Sequence, residues 1–367
     1  MGTRPECVKM APVIKALAGR PGLAVRVVGT GQHRELTRQT LGIFGIEPDI
    51  DLDVMRPSQT LAGLTARILE RLEPILESEA PALVLAQGDT TSVMVAALAS
   101  FYRRIPFGHV EAGLRTHDIR NPFPEELNRV VAGRVADLHF APTEAARANL
   151  LAEGTAPDTI HVTGNTVIDA LLDVAARDLE CAYPTVAGRK LVLVTAHRRE
   201  NFGEPLARIC AALRQLHDRH ADIEIVYPVH PNPNVRATVE PALSGLARVH
   251  LIEPVDYLTM AALMKQSWIV LTDSGGIQEE APALAKPVLV LREETERPEA
   301  VAAGAAALVG TSTDRIVAAA ESLLAGGEAY ARMAQGISPY GDGKAAPRIA
   351  DICASLVAAR QARQTSR

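Results

Sequence analysis

Aromatic side chains are scarce in this chain: 4% of its 367 residues, with a single tryptophan. Its hydrophobic content of 47% therefore rests on Ala, Val and Leu, which fits a soluble, helix-rich α/β protein. Cysteine is scarce too. Cys7, Cys181, Cys210 and Cys353 lie far apart, without CxxC or Cys/His spacing, which argues against a disulfide scaffold or a zinc module. They read as reduced thiols of a cytosolic protein. No apolar run reaches membrane-spanning length and no charged-then-apolar leader starts the chain, so we expect no membrane partner and a cytoplasmic location. Met1-Gly2 resembles a myristoylation start, but Glu6 stands where that signal needs Ser or Thr. A net charge of −5 gives nucleic acid no general attraction, so any phosphate must be met by local cations. Several reaction motifs are missing as well. Gly29-Thr30-Gly31 runs on as Gln32-His33-Arg34 and is no GxGxxG, and there is no Walker loop, HExxH or GxSxG. These gaps argue against a nicotinamide enzyme, a P-loop kinase and a serine hydrolase.

What is present is alternation. Strand-like runs at 24–29, 83–87, 107–110, 138–141 and 160–163 alternate with helical stretches such as 61–78, 92–103, 126–136 and 143–153. The pattern restarts after a link near 165–177, with strands at 191–195, 224–227, 249–251, 268–271, 288–291 and 308–309. A last helix over about 345–360 closes the chain. The length suggests two domains. We expect an α/β fold of two doubly wound Rossmann-like domains facing a central cleft, GT-B-like, with ligand at the strand carboxyl ends. The expected boundaries are 1–166 plus 348–367 for the first domain and 167–347 for the second. At the start, Thr3-Arg4-Pro5-Glu6 reads as a turn opening a helix, with only Met1 and Gly2 where a buried strand normally precedes such a turn.

Polar residues gather at the expected strand ends. After the strand at 268–271 come Thr272-Asp273-Ser274 and two glycines, then a helix expected from about Ile277 that carries Glu279 and Glu280. Such a corner turns backbone N–H groups and the positive end of a helix outward, which suits a phosphate, with Arg297 near by for further charge. The same residues would serve an ordinary βα turn. Asp89, in Gln87-Gly88-Asp89-Thr90-Thr91, fits a helix N-cap as well as a site. Glu111, in His109-Val110-Glu111-Ala112-Gly113, is hard to place in a core. Glu125 and Glu126 suit a helix first turn. His197, beside Arg198 and Arg199, and His230, after Tyr227-Pro228-Val229, both end strands, where either structure or chemistry accounts for them. His217 and His220 read as solvated on a helix surface.

Eleven short segments, in order along nearly the whole chain, complete the picture. They are GTRPE at 2–6, GQHRE at 31–35, GDTTS at 88–92, GHVEAGLRT at 108–116, PFPEELNR at 122–129 and TGNTVIDAL at 163–171. AHRREN at 196–201, YPVHPNPNVR at 227–236, TDSGGIQEEAP at 272–282, TERPEA at 295–300 and SPYGDG at 338–343 follow. With them the chain resembles the bacterial non-hydrolysing UDP-N-acetylglucosamine 2-epimerases.

The resemblance implies interconversion of UDP-GlcNAc and UDP-ManNAc without metal or cofactor, in a cytoplasmic homodimer that supplies ManNAc for surface polysaccharide. The C2 hydrogen is not next to a carbonyl, so the family's route is elimination: UDP leaves C1, the C2 proton is removed, and UDP adds back to the glycal with protonation on the other face. Matched position by position, the catalytic residues are Asp89, Glu111, Glu125 and His197. UDP contacts would come from Arg4, Lys9, Ser274, Gly275, Gly276, Glu280 and Arg297, with Glu280 on the ribose. Family members also bind a second UDP-GlcNAc as activator, here matched to Gln32, Glu35, Ser58, Gln59, Arg198 and His230. The uracil segment corresponds to 255–260, where the side chains depart from the family's, as Ser58 departs from an arginine in some relatives. Members supply a strand before the position of Gly2, from which we expect the natural start to lie upstream of Met1. The rival readings are a hydrolysing epimerase, a retaining glycosyltransferase, and a nucleotide-sugar-binding regulator without catalysis.

Overall fold

A computed structural model of the chain describes residues 1–31, 34–56, 58–179 and 188–365. The backbone divides into two compact units, Met1–Ala170 with Tyr340–Arg367, and Leu171–Pro339. Gln32 and Cys181 lie outside the described residues.

The first unit contains α1 (Arg4–Ala18), β1 (Val28–Gly29), α2 (Arg34–Ile43), β2 (Ile50–Asp51), α3 (Leu61–Glu79), β3 (Val84–Gln87) and α4 (Thr91–Tyr102). It continues with β4 (Phe107–Val110), α5 (Glu125–Val135), β5 (Leu138–Ala141), α6 (Glu144–Ala152), β6 (Ile160–Val162) and α7 (Thr166–Ala175), whose last turns belong to the second unit. The second unit holds β7 (Lys190–Thr195), α8 (Glu204–Arg219), β8 (Ile223–Pro228), α9 (Pro233–Leu243), β9 (Val249–Ile252) and α10 (Tyr257–Gln266). Then follow β10 (Ile269–Thr272), α11 (Gly275–Ala283), β11 (Val288–Val290), α12 (Pro298–Ala302), β12 (Ala306–Leu308), α13 (Thr313–Leu324) and α14 (Gly327–Met333). The final helix, α15 (Ala345–Thr365), returns to pack on α1. The buried carboxylate of Asp169 holds that return by accepting the N–H groups of Ala345 and Ala346 at 3.2 and 2.8 Å.

Every strand pair is parallel, as the strand–helix alternation dictates, because parallel neighbours need a crossover between them. In the second unit the order is β12-β11-β10-β7-β8-β9. The chain winds outward from β7 in one direction, returns to β10 beside it, and winds outward in the other. The reversal leaves a crevice at the carboxyl ends of β7 and β10, where open sheets of this kind bind ligands. Fully buried Val, Leu and Ile of these two strands form the centre of one continuous core with α8, α9 and α13.

The first unit's sheet comes in two pieces, β3-β4-β5-β6 and β1-β2. Between them lies a cavity of about 540 Å³, lined by apolar side chains including Met10, Ile14, Val25, Val27, Ile68 and Leu85. Only residues 28 and 29 of the expected strand at 24–29 are ladder-paired, to residues 50 and 51. Residues 24–27 instead line the cavity, where no strand of the described chain pairs with their other edge. Met1 is bonded as a strand residue would be: its amine donates to Val28 O at 3.1 Å and its carbonyl accepts Thr30 N–H at 2.9 Å. The hydroxyls of Thr30 and Ser92 meet at 3.0 Å and tie the two sheet pieces together at their carboxyl ends.

Candidate functional site

The expected site residues form two clusters, one in each unit. In the first unit, β3 runs into Gly88, whose φ of +87° turns the chain so that Asp89 lies just ahead of α4. Asp89 pairs with Arg129 at 2.7 Å, and Asn128 donates to its carbonyl at 2.9 Å, so α5 fixes the turn. Burial raises the Asp89 pKa above the usual aspartate value; the Arg129 charge opposes this, and the charges of Glu111 and Glu125 add to it. Asp89 thus feels the charge of both other expected carboxylates. Half-buried Glu125 opens α5.

Glu111 follows β4 with φ +64°, a left-handed conformation that is rare and strained for a residue with a side chain. Its carboxylate accepts from Lys9 Nζ at 2.5 Å, from Asn165 Nδ2 at 2.9 Å, and from Gln87 Nε2. Lys9, expected on UDP, is thus placed on a carboxylate. Gly113 is indispensable here: at φ +90° an added Cβ would lie 2.2 Å from Ala146 O. His109, one strand residue before Val110, is fully buried with Nε2 at 2.7 Å from Gly88 O. Burial drives its pKa down to about 4, so it is neutral near pH 7 and donates that bond.

Glu6 was read from sequence only as part of a turn, yet it organises the start of α1. It is 2% exposed and accepts Gly2 N–H and Thr3 N–H, each at 2.7 Å, the Thr3 hydroxyl at 2.9 Å, and the Thr90 hydroxyl at 2.6 Å. These bonds cap the helix and lock it to the Asp89 turn. Arg4, the first residue of α1, is half-buried, and its guanidinium has no hydrogen-bond partner among the described residues.

In the second unit the switch point between β7 and β10 carries the other cluster. Helix α11 begins at Gly275, two residues before the expected position, because Ser274 is extended (φ −82°, ψ 126°) and caps a first turn made of two glycines. No acid stands in that first turn. Two guanidinium groups lie over it: a Cβ on Gly275 would sit 3.7 Å from Arg198 Nη2 and 4.0 Å from Arg297 Nη2. Arg297 is steadied by a bond to buried Glu279, and Arg198 lies 3.8 Å from Glu296. Bare amides, a helix dipole and two forks of N–H donors make an anion site. Buried Glu280, one turn further on, accepts the Tyr257 hydroxyl at 3.1 Å.

His197 and His230 stack with ring centres 5.2 Å apart and planes 12° off parallel. Burial lowers the His197 pKa, opposed by Asp273 and helped by His230 and Arg198. Of the residues matched to an activator, Arg198 belongs to the anion site and His230 to the His197 stack. Exposed Glu35 starts α2 and accepts from Gln39 at 3.3 Å. Gln59 accepts from Arg67 and from Arg56 N–H, and donates to Met55 Sδ at 2.8 Å. Ser58 is exposed with φ +52°. His217 and His220, expected to be solvated, are half-buried, because their backbone carbonyls accept Arg248 at 2.5 Å each and hold the end of α8 down.

Several supporting residues escaped the sequence reading. Gln87, Asn165 and Arg129 grip carboxylates from other elements, a relation that only the fold reveals. Asp273 was the more legible one: a charged residue directly after four buried strand residues needs a reason.

Comparison with known proteins bears on this geometry. The family model described as UDP-N-acetylglucosamine 2-epimerase matches residues 15–354. A probable UDP-N-acetylglucosamine 2-epimerase of Ralstonia nicotianae is 52% identical over 358 residues, covering 95% of this chain and 96% of that one. The UDP-N-acetylglucosamine 2-epimerase of Escherichia coli K12 is 51% identical, with 95% of each chain covered. Among solved structures, the UDP-GlcNAc 2-epimerase of Neisseria meningitidis bound to UDP-GlcNAc superposes with a TM-score of 0.87 at 46% identity, covering 96% of this chain and 98% of that one.

Proposed function

This chain belongs to the UDP-N-acetylglucosamine 2-epimerase family, and we propose that it interconverts UDP-GlcNAc and UDP-ManNAc by the non-hydrolysing route. One observation carries the reading: charge is sorted between the two clusters as elimination requires. The first unit gathers three carboxylates with Glu111 strained into place, and the second an anion cradle without acid in its first turn.

The second unit's cluster takes the diphosphate. Gly275 and Gly276 supply N–H groups and the helix dipole, Ser274 its hydroxyl, Arg297 and Arg198 supply charge, and Glu280 takes a ribose hydroxyl. Arg4, with its guanidinium unengaged by the described chain, adds a cation from the first unit. When the C1–O bond breaks, its electron pair goes to the UDP oxygen, and these groups stabilise the charge that develops there. His197 assists that departure. A carboxylate of the first unit takes the C2 proton, and the C2–H pair becomes the C1=C2 bond of the glycal. UDP then adds back to C1 as a second acid returns a proton to the opposite face of C2. Asp89, with its pKa raised by burial, is suited to hold such a proton, and Glu111, paired with Lys9, is the candidate base.

We further read the enzyme as a cytoplasmic homodimer that uses the nucleotide sugar where it is made and supplies ManNAc for surface polysaccharide; among the described residues no helix is long and apolar enough to cross a membrane. Glu35, Gln59 and His230 are candidates for an activator subsite, with Gln32 beyond the described residues.

Incubation with UDP-GlcNAc in D2O tests the reaction. NMR should show UDP-ManNAc appearing with deuterium at C2 of both sugars. Free ManNAc with UDP would replace this reading by the hydrolysing one, and no exchange at all would reject both.

A further inference from the structure

Asp273 follows β10 and is fully buried. Its Oδ2 accepts three donors: His197 N–H and Arg198 N–H at 2.8 Å each, and Asn201 Nδ2 at 3.0 Å. Asn201 is itself fixed by a bond to Leu291 O at 3.1 Å. Oδ2 thus shapes the 196–201 turn that presents His197. Oδ1 has no hydrogen-bond partner in the described chain, although it is buried. A buried carboxylate oxygen left without a donor is costly, and native proteins seldom keep one.

The nearest donor is evident. His197 Nδ1 lies 3.8 Å from Oδ1, beyond hydrogen-bond reach by roughly 1 Å. The His197 ring is 40% exposed and stacks on His230, so a small shift of the ring within the plane of that stack closes the gap without losing the stacking. We propose that Asp273 is a positioning residue for His197, its Oδ1 accepting Nδ1–H when a nucleotide diphosphate draws the ring in, so that Nε2 is the atom offered to the leaving phosphate. The proposal rests on the assignment of His197 to the leaving group. It adds what that assignment lacks, a reason for a proton on Nδ1 and for one ring orientation.

The charged and titratable groups facing the ring are Asp273, His230 and Arg198. Of these only Asp273 favours the imidazolium, so closing the Asp273 bond on UDP strengthens the one favourable contact.

Asp273→Asn separates the two oxygens. The Asn carbonyl can still accept the three donors now on Oδ2, while its NH2 faces Nδ1 and holds the ring in the neutral Nε2–H form. We expect the variant to fold, with kcat for C2 exchange down 10²- to 10⁴-fold and KM within threefold, as when the orienting Asp of other His-dependent enzymes becomes Asn. In ¹⁵N-histidine NMR with UDP bound, wild-type His197 should be protonated on Nδ1 as well as on Nε2, and the variant on Nε2 alone. A variant kcat within threefold of wild type, or an unchanged protonation of Nδ1 beside a lowered Tm, overturns the proposal. Should the variant not fold, the wild-type spectrum decides: a UDP complex with His197 Nδ1 unprotonated overturns it, and one with Nδ1 protonated supports it. The protonation of Nδ1 is read without turnover, so failure of the assigned reaction would show separately, as absent exchange in wild type.

Discussion

The two units start a helix at a ligand-binding end of a parallel sheet in opposite ways. In the first unit the amino end of α1 is filled by the chain's own carboxylate: Glu6 collects two backbone N–H groups and two hydroxyls. In the second unit the amino end of α11 has no acid in its first turn, and two arginines stand over its glycines instead. Each helix end is a positive pole. One is neutralised from within, which turns it into a rigid post beside Asp89. The other is left open, the arrangement that an outside anion needs. The same local physics therefore yields a scaffold in one case and a binding site in the other, and a single buried side chain decides which.

The sharpest way to break this contrast is to remove charge from the carboxylate cluster and ask whether binding survives. Glu111→Gln keeps the shape of the side chain and removes the proposed base. We expect exchange at C2 to fall by about 10³-fold or more, equivalent to about 4 kcal/mol of barrier, while the affinity for UDP measured by calorimetry stays within threefold. A parallel loss of UDP affinity would show that the two clusters do not divide the work.

A second test sets the stability of the units against each other. His109 is neutral in the folded first unit, with a pKa pushed down to about 4 by burial, against 6.5 for an ordinary histidine. In that window the unfolded chain binds a proton that the folded chain does not, so stability rises with pH. The contribution is whole above pH 6.5 and is lost as pH falls toward 4, by about 3 kcal/mol in all. Amide exchange followed between those values should show β3 and β4 opening before β7 and β10. Substitution of His109 by Gln, which can keep the bond to Gly88 O, should abolish that order.

Which parts of this were readable beforehand follows from how far each interaction reaches. The strand–helix alternation is local, and it located nearly every strand to within a residue or two. Strand 24–29 shrank to Val28–Gly29 because pairing depends on what lies beside a strand, and neighbours in space are not written in the run itself. The helix at Ser274 began two residues early because glycine is a poor helix former in general but suits an end where a guanidinium must come close. Glu111 stood out at once as a carboxylate at a strand end beside glycine. Its holders, Lys9, Gln87 and Asn165, did not, since they come from up to 102 residues away. Glu6 and Asp273 share that fate: each reads as a turn residue until the fold supplies its donors.

The smallest effect tests the helix ends themselves. Ser274 caps α11 in extended conformation but makes no side-chain capping bond. Ser274→Asp would give this helix what Glu6 gives α1: a carboxylate of the chain's own against its open N–H groups. The change should stabilise the second unit by about 0.5–1 kcal/mol, the usual worth of an acid at a helix amino end. It should also set a negative charge where the diphosphate binds, beside Arg198 and Arg297, and so compete for the donors that serve UDP. We expect UDP affinity to fall about tenfold, or 1.4 kcal/mol, with the loss shrinking as salt screens the new charge. Calorimetric Kd at two ionic strengths, alongside denaturant midpoints, measures both sides. If the variant binds UDP as tightly as the parent, the amino end of α11 is not the anion receptor, and the contrast with α1 is one of structure alone.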